Sequence, residues 1–293
     1  MSQSFPTSTR KPAALFGREA ENSPMPPPPF QPIHVIAPTR IDLAGGTLDI
    51  WPLYLYLDNP VTINVAISLY THVKIKPRSD TRIVLISKDQ REKVEFASLK
   101  KLHHTHKLGL ISRVLSFFSP ETGLTIETHS EVPSGAGLAG SSTLNIALCY
   151  ALNRFTGRDL SKKKMQLLAK NIEACVINVP TGDQDYYPAL YGKFNSLILG
   201  PEGVKRKSLT TDYSGFQKRA LLIYSGTSRN SGINNWEIFK RVIDGDTEIL
   251  EKLNNVSRVA SHMKAALLAK DMDLVGTLLN EEWKTRKTLE TTV

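Results

Sequence analysis

The chain has 293 residues, 41% apolar and 22% charged, the composition of a folded globular protein with room for one large or two ordinary domains. Thirty-seven basic against 28 acidic side chains leave a formal charge of +9, which favours an anionic partner. No apolar run is long enough to span a bilayer, no apolar signal core opens the sequence, and no nucleic-acid motif or dense basic-aromatic patch accounts for the charge; the expected partner is a phosphate-bearing small molecule, with no membrane and no nucleic acid.

Residues 1–31 carry Pro26–Pro29 and little apolar periodicity, and read as a disordered or extended leader whose Ser/Thr/Arg/Lys-rich start admits a transit peptide. Ile33–Ala37 is the first expected strand. In Arg40-Ile41-Asp42-Leu43 apolar and polar residues alternate as on a half-buried strand, and Gly45-Gly46 ends it in a turn. Arg40 and Asp49, flanking that turn, are either a surface pair or groups facing a ligand. Val61–Lys76, Arg82–Ile86 and Lys93–Phe96 read as a run of antiparallel strands. His103, His104 and His106 match no zinc spacing and join no cysteine or carboxylate cluster, so a solvated turn is the reading taken. Residues 107–118 read as a helix and Thr122–Thr128 as a strand.

Pro133-Ser134-Gly135-Ala136-Gly137-Leu138-Ala139-Gly140-Ser141-Ser142-Thr143 follows. Behind it Leu144, Leu148, Ala151 and Phe155 mark one face of a helix that Gly157 stops. A glycine-rich loop opening a helix offers unpaired N–H groups and the positive end of the helix dipole to an anion. A capped helix after a tight turn is the alternative, and at this point both stand. Ser161 starts another helix, with Leu167, Leu168, Ile172 and Cys175 as its expected buried face and Glu173 near its end. Cys149 and Cys175, both in apolar helical pattern, read as buried free thiols of a reducing compartment, the cytoplasm. Asn178–Asp185 is turn-rich; Asp183 reads as a turn or cap residue, whereas Asp185 caps the helix from Tyr186 or serves as a catalytic base. Strands are expected at Ser196–Leu199, Lys205–Leu209 and Arg219–Tyr224. A polar loop Ser225–Ser231 precedes helices at about 231–243, 246–269 and 271–290, in which Trp236 and Trp283 are expected to pack.

Three of these stretches together resemble the GHMP kinase superfamily (galactokinase, mevalonate kinase, homoserine kinase and relatives) over roughly residues 33–290. The 133–143 loop is similar to the family's Pro-x-x-x-Gly-Leu-x-Ser-Ser motif, Arg40–Asp49 to its first motif, and Glu173–Asp185 to its Glu, Pro-x-Gly and catalytic Asp. Within the family, Ala44–Asp49, Gln184–Asn195 and Tyr224–Arg229 resemble bacterial sugar kinases of the D-glycero-D-manno-heptose 7-phosphate kinase type.

The resemblance implies an α+β, two-domain GHMP kinase fold. Its N-terminal ATP-binding domain, ribosomal protein S5 domain 2-like, would span 32–195, and a ferredoxin-like C-terminal domain 196–293. The family's third motif, a C-terminal glycine-rich loop, is missing, so a truncated second domain is expected. The implied activity is transfer of the ATP γ-phosphoryl group to a hydroxyl of a sugar or sugar phosphate, by a monomer or homodimer; the alternative is a catalytically weak nucleotide- or sugar-binding remnant. In this reading Pro133, Gly135, Ala136, Gly137, Leu138, Ala139, Gly140, Ser141 and Ser142 cradle ATP. Ser141 (or Ser142) and Glu173 hold Mg²⁺. Asp185 orients or deprotonates the acceptor hydroxyl, Arg40 neutralises Asp185 and the phosphoryl group, and Asp49, Gly45 and Gly46 bind the sugar.

Overall fold

The computed structural model describes residues 31–228 and 231–289. The expected leader lies outside them except for Gln31, as do Arg229 and Asn230 of the polar loop.

In chain order the elements are β1 (Ile33–Ala44), β2 (Val61–Pro77), β3 (Ile83–Ser87), β4 (Glu92–Phe96), α1 (Gly109–Phe118), β5 (Leu124–Ser130), α2 (Gly140–Phe155), α3 (Lys162–Ile177) and α4 (Tyr186–Tyr191). After them come β6 (Phe194–Gly200), β7 (Gly203–Leu209), α5 (Tyr213–Arg219), α6 (Ser231–Ile243), α7 (Thr247–Ala269) and α8 (Met272–Arg286). The α+β class stands. The seven strands among the described residues form one sheet in the order β4-β3-β5-β2-β6-β7, with β1 alongside β2.

β2 organises the sheet. Its first residues pair with β6 and its last with β5, while β1 runs antiparallel to it through both regions. The boundary expected at 195/196 therefore falls inside β6, a strand hydrogen-bonded to β2. α1 to α4 cover one face of the sheet, burying Val73, Ile75, Leu85 and Ile126 against Leu115, Leu148, Leu152 and Met165. α7 and α8 bury Leu43, Ile63, Val65 and Phe194 at the other end, and α6 and α7 close over Leu48, Ile50, Leu53 and Leu197. Each of these large aliphatic side chains, taken from water, contributes roughly 1.5–3 kcal/mol.

Four sequence expectations are corrected. The first strands do not form one continuous antiparallel run: β3 pairs antiparallel with β4, but β5 lies between β3 and β2 and runs parallel to β3, because the β3–β4 hairpin returns the chain to the end of the sheet where β3 began and β5 starts from that end. Arg219–Tyr224 is not a strand; α5 ends at Arg219, and Leu221 and Ile223 are 83% and 76% exposed with no strand among the described residues to pair them. An extended segment without a ladder has nowhere to place its backbone groups except water. Trp236 and Trp283 are half-exposed rather than packed in. The buried stripe of α3 is Met165, Gln166, Ala169 and Glu173, while Leu167 and Cys175 face outward. A rule that counts apolar residues steps past that stripe because a carboxylate and an amide lie on it.

Candidate active site

β1 brings the first group into place. Its ladder with β2 shifts register between Pro38 and Arg40 and again between Asp42 and Ala44. Bulges of this kind re-aim side chains, and here they bracket Arg40. The Arg40 guanidinium donates from Nε and Nη2 to Oδ1 of Asp185, at 2.9 and 2.5 Å, and from Nη1 to the carbonyl of Gly137 at 2.8 Å. Its backbone N–H donates to the carbonyl of Leu138. One side chain thus joins three stretches that lie far apart in sequence: the first strand, the glycine loop and the turn before α4.

The glycine loop runs into α2, whose N-cap, Ala139, sits in the left-handed region at φ 60° and offers no capping side chain. The N–H groups of the first turn therefore have no side-chain acceptor, and the loop from Pro133 to Gly140 lies at the surface with its backbone accessible. The capped-turn alternative is without its side-chain cap. A Cβ on Gly135 would meet Oγ of Ser228 at 1.8 Å, so Ser228 of the polar loop sits directly on the glycine loop.

Ser141, Ser142 and Glu173 come together as expected. Glu173 is buried on α3, and the Ser142 and Ser141 hydroxyls are close enough to favour its charged form. Tyr186 Oη donates to its Oε2 at 2.8 Å. Burial pushes the Glu173 carboxyl above its ordinary value, against the pull of those hydroxyl donors. Hydroxyl and carboxylate oxygens beside a glycine loop form a hard donor set of the kind Mg²⁺ takes, and a cation is what a desolvated carboxylate needs to remain ionised.

Asp49 is 1% exposed, and Oδ2 accepts the backbone N–H of Gln184 at 2.7 Å. Gly182 is required beside it, since a Cβ there would stand 2.2 Å from Oδ2. Ile50 and Gly182 form a β-bridge that fastens the first motif to the turn. Burial drives the Asp49 carboxyl up to about 7; the Gln184 N–H pulls it down, and Asp185, Asp183 and Asp42 add repulsion.

Asp183, expected as a turn or cap residue, lies in the turn before α4 and forms a buried ion pair rather than a cap. Oδ1 accepts from Gln166 at 2.6 Å and Oδ2 from Lys170 at 3.0 Å, so it ties the turn to α3 and caps nothing. Asp185 stands at the N-cap position of α4 without making a capping bond, leaving its carboxylate to Arg40 and the open side of the site. Gly45 is held by β2, its carbonyl accepting from Thr62 Oγ1, and Gly46 from α8: Arg286 donates to the carbonyl of Gly46 and pairs with Asp42, at 3.5 Å, and with Glu282.

Sequence reasoning missed Tyr186 as a partner of Glu173, and it missed Asp42–Arg286, Lys170 as the partner of Asp183, and Asn64, whose Nδ2 donates to the carbonyl of Gln184. Only Tyr186 carried a signal, its place next to Asp185. The others lie in different elements, and nothing in linear spacing brings them together. The three histidines lie in a turn before α1, where His106 bonds Ser112 and packs on Phe96, and the described residues contain no cluster of three or more His, Cys, Asp or Glu able to hold a metal. Among them no helix is long and apolar enough to cross a membrane.

Residues 107–193 match the profile of the GHMP kinases N-terminal domain. The chain is 29% identical over 268 residues to D-glycero-alpha-D-manno-heptose 7-phosphate kinase of Campylobacter jejuni, covering 87% of this chain and 77% of that one. It is 28% identical over 169 residues to galactokinase of Thermotoga maritima, covering 56% of this chain and 45% of the enzyme. Among solved structures, a D-glycero-D-manno-heptose 1-phosphate kinase from Bacteroides thetaiotaomicron superposes with a TM-score of 0.70 at 23% identity, over 87% of this chain and 79% of that one. Mevalonate kinase of Methanococcus jannaschii gives 0.69 at 18% identity, over 89% and 80%.

Proposed function

We propose that the chain is a kinase of the GHMP type, which transfers the γ-phosphoryl group of ATP to a hydroxyl of a sugar or sugar phosphate; the GHMP kinases N-terminal domain match over residues 107–193 and the 29% identity to a heptose 7-phosphate kinase support it. The observation that carries the reading is Arg40, whose guanidinium spans Asp185 and the carbonyl of Gly137 in the glycine loop. A cation at that junction lies between the group that handles the acceptor and the loop that handles the donor.

Phosphoryl transfer demands positioning and charge neutralisation more than covalent chemistry. The first-turn N–H groups of α2 and the loop before it take the phosphates of ATP. No lysine follows the glycines, so positive charge at the transferring group comes from the helix terminus and Arg40. Ser141 or Ser142, with Glu173, would hold Mg²⁺, which when bound neutralises charge on the phosphate oxygens. Asp185 orients the acceptor hydroxyl and accepts its proton. Asp49, with the Gly45-Gly46 turn, lines the sugar side. A sugar phosphate is favoured over a neutral sugar by the first relative, which is named for a heptose 7-phosphate, and by the net charge of +9. The two unpaired cysteines accord with work in the cytoplasm.

Incubation with ATP, Mg²⁺ and a panel of hexoses, heptoses and their phosphates, read as ADP release, tests this. Sugar-dependent release, greatest with a sugar phosphate, is expected. Absence of release across the panel from a folded chain that binds ATP overturns it.

A further inference from the structure

Three consecutive residues of the turn before α4 are each anchored to a different element. Asp183 is held by α3 and Asp185 by Arg40 of β1. Between them Gln184 is held by its backbone. Its N–H donates to Asp49, and its carbonyl accepts from Nδ2 of Asn64 on β2 at 3.2 Å. These belong to successive peptide planes. Asp49 fixes the plane joining Asp183 to Gln184, and Asn64 fixes the plane joining Gln184 to Asp185.

Asn64 does not end the connection. Its Oδ1 accepts from Nδ2 of Asn195 at 3.1 Å, across the directly paired positions of β2 and β6. Oδ1 of Asn195 accepts from Nε of Arg206 on β7 at 2.6 Å. The Arg206 guanidinium lies over the ring of Tyr191, 4.3 Å from its centroid. Asn64 and Asn195 are both 0% exposed. A backbone carbonyl only accepts and a guanidinium only donates, so both amides between them have one possible orientation. Every N–H in the chain therefore points from Arg206 toward Gln184. Dipoles aligned in one direction by a charge at the tail polarise one another, and the positive end of this series faces the turn that carries Asp183 and Asp185.

Two buried amides are a costly way to fill a sheet interior that apolar side chains fill readily. What they supply is direction. We propose that Asn64, backed by Asn195 and Arg206, is a positioning residue of the kinase: it holds the Gln184–Asp185 peptide so that the Asp185 carboxylate meets Arg40 and the acceptor hydroxyl in one geometry. The turnover part of this inference rests on the kinase reading above; the positioning part does not.

The test combines kinetics with amide hydrogen exchange on the full chain. Asn64→Leu keeps the shape and removes the donor; Asn195 keeps the carbonyls of Gly192 and Lys193 as acceptors, so it is not stranded. The expected loss in kcat is about ten- to hundred-fold, the effect of a small misplacement of a reacting group, with the KM for ATP within about two-fold of wild type. Exchange in residues 183–186 should quicken at least about ten-fold while α2 is unchanged, because opening of that turn is local. Arg206→Leu should move both readouts the same way by less, and Arg206→Lys, which retains a donor, less again. Ser196→Ala, a buried hydroxyl beside Asn195 outside the chain, should leave both unchanged. A folded Asn64→Leu variant with wild-type kcat and wild-type exchange at 183–186 overturns the proposal. So does an exchange increase spread evenly through β2 and β6, which is what a role in the sheet alone would produce. If the wild-type chain shows no turnover, the kinase reading falls, and the exchange experiment still decides whether Asn64 holds the turn.

Discussion

Arg40 and Asp185, 145 residues apart in sequence, share a two-donor contact onto a single carboxylate oxygen, with side chains 11% and 25% exposed. Asp185→Asn keeps the shape and loses the charge. It should lower kcat by about a thousand-fold while leaving ATP binding, read by thermal shift, near wild type. Near-normal turnover in that variant would exclude Asp185 from the chemistry. Arg40→Lys should lose almost as much as Arg40→Ala, because an ammonium cannot reach Asp185 and the Gly137 carbonyl together in the planar geometry seen here.

Asp49 links pH to stability. Unfolded, its carboxyl titrates near 3.8; folded, burial raises it to about 7. Between those values the native state keeps a proton that the unfolded state has released, so this group's contribution falls as pH rises from about 4 to about 7 and is flat above. The span corresponds to at most about 4 kcal/mol. Asp49→Asn should remove that dependence and be more stable than wild type at pH 8, with poorer sugar affinity. Urea unfolding at pH 5, 6.5 and 8 checks it; parallel curves for the two proteins would show that Asp49 ionises as easily in the fold as out of it.

Glu173 and Tyr186 make a second test. Glu173→Gln should raise the Mg²⁺ concentration needed for half-maximal activity by about ten- to hundred-fold, since an amide is a poor ligand for a hard cation. Tyr186→Phe removes one donor to the same carboxylate and should cost about 1–2 kcal/mol of stability. An unchanged Mg²⁺ requirement in Glu173→Gln would move the metal site elsewhere.

Arg286 reaches from α8 to the carbonyl of Gly46 and to Asp42, whose Oδ1 has no hydrogen-bond partner and whose carboxyl is pushed up by burial. Arg286→Ala should destabilise the chain by about 3 kcal/mol, mostly through the stranded carboxylates. Adding Asp42→Asn should recover part of the loss. Additive losses in the double variant would show that the two side chains do not interact.

The thiols divide cleanly. Cys149 is buried, with its pKa raised by desolvation, and Cys175 is exposed. An aromatic disulfide reagent should titrate Cys175 at once in the native protein and Cys149 only after unfolding.

Element by element, linear pattern carried far. Leu144, Leu148, Ala151 and Phe155 marked α2, Ser161 caps α3 as its sequence position implied, and the alternation in Val61–Lys76 became β2. Local signals worked there because the element is decided by residues within one or two turns of each other. They failed at Leu221–Tyr224, where being a strand depends on a neighbour, and along α3, where the buried stripe includes Glu173.

The same division runs through the site. Glycines before a helix, an arginine ahead of a turn, and an acid behind a Pro-x-Gly are chemistries legible one residue at a time, and their order along the chain was enough to show a resemblance to the GHMP kinases. Which groups touch was settled only by folding. Two bulges in β1 and the pairing of β2 with β1, β5 and β6 carry Arg40 to Asp185 and place Asn64 under Gln184. Burial then assigns the acids different tasks: Asp49 is desolvated, Asp183 is spent on Lys170, and Asp185 is left facing the open side of the site. Desolvation and pairing are properties of what surrounds a side chain, and for these residues the surroundings come from strands and helices distant in sequence.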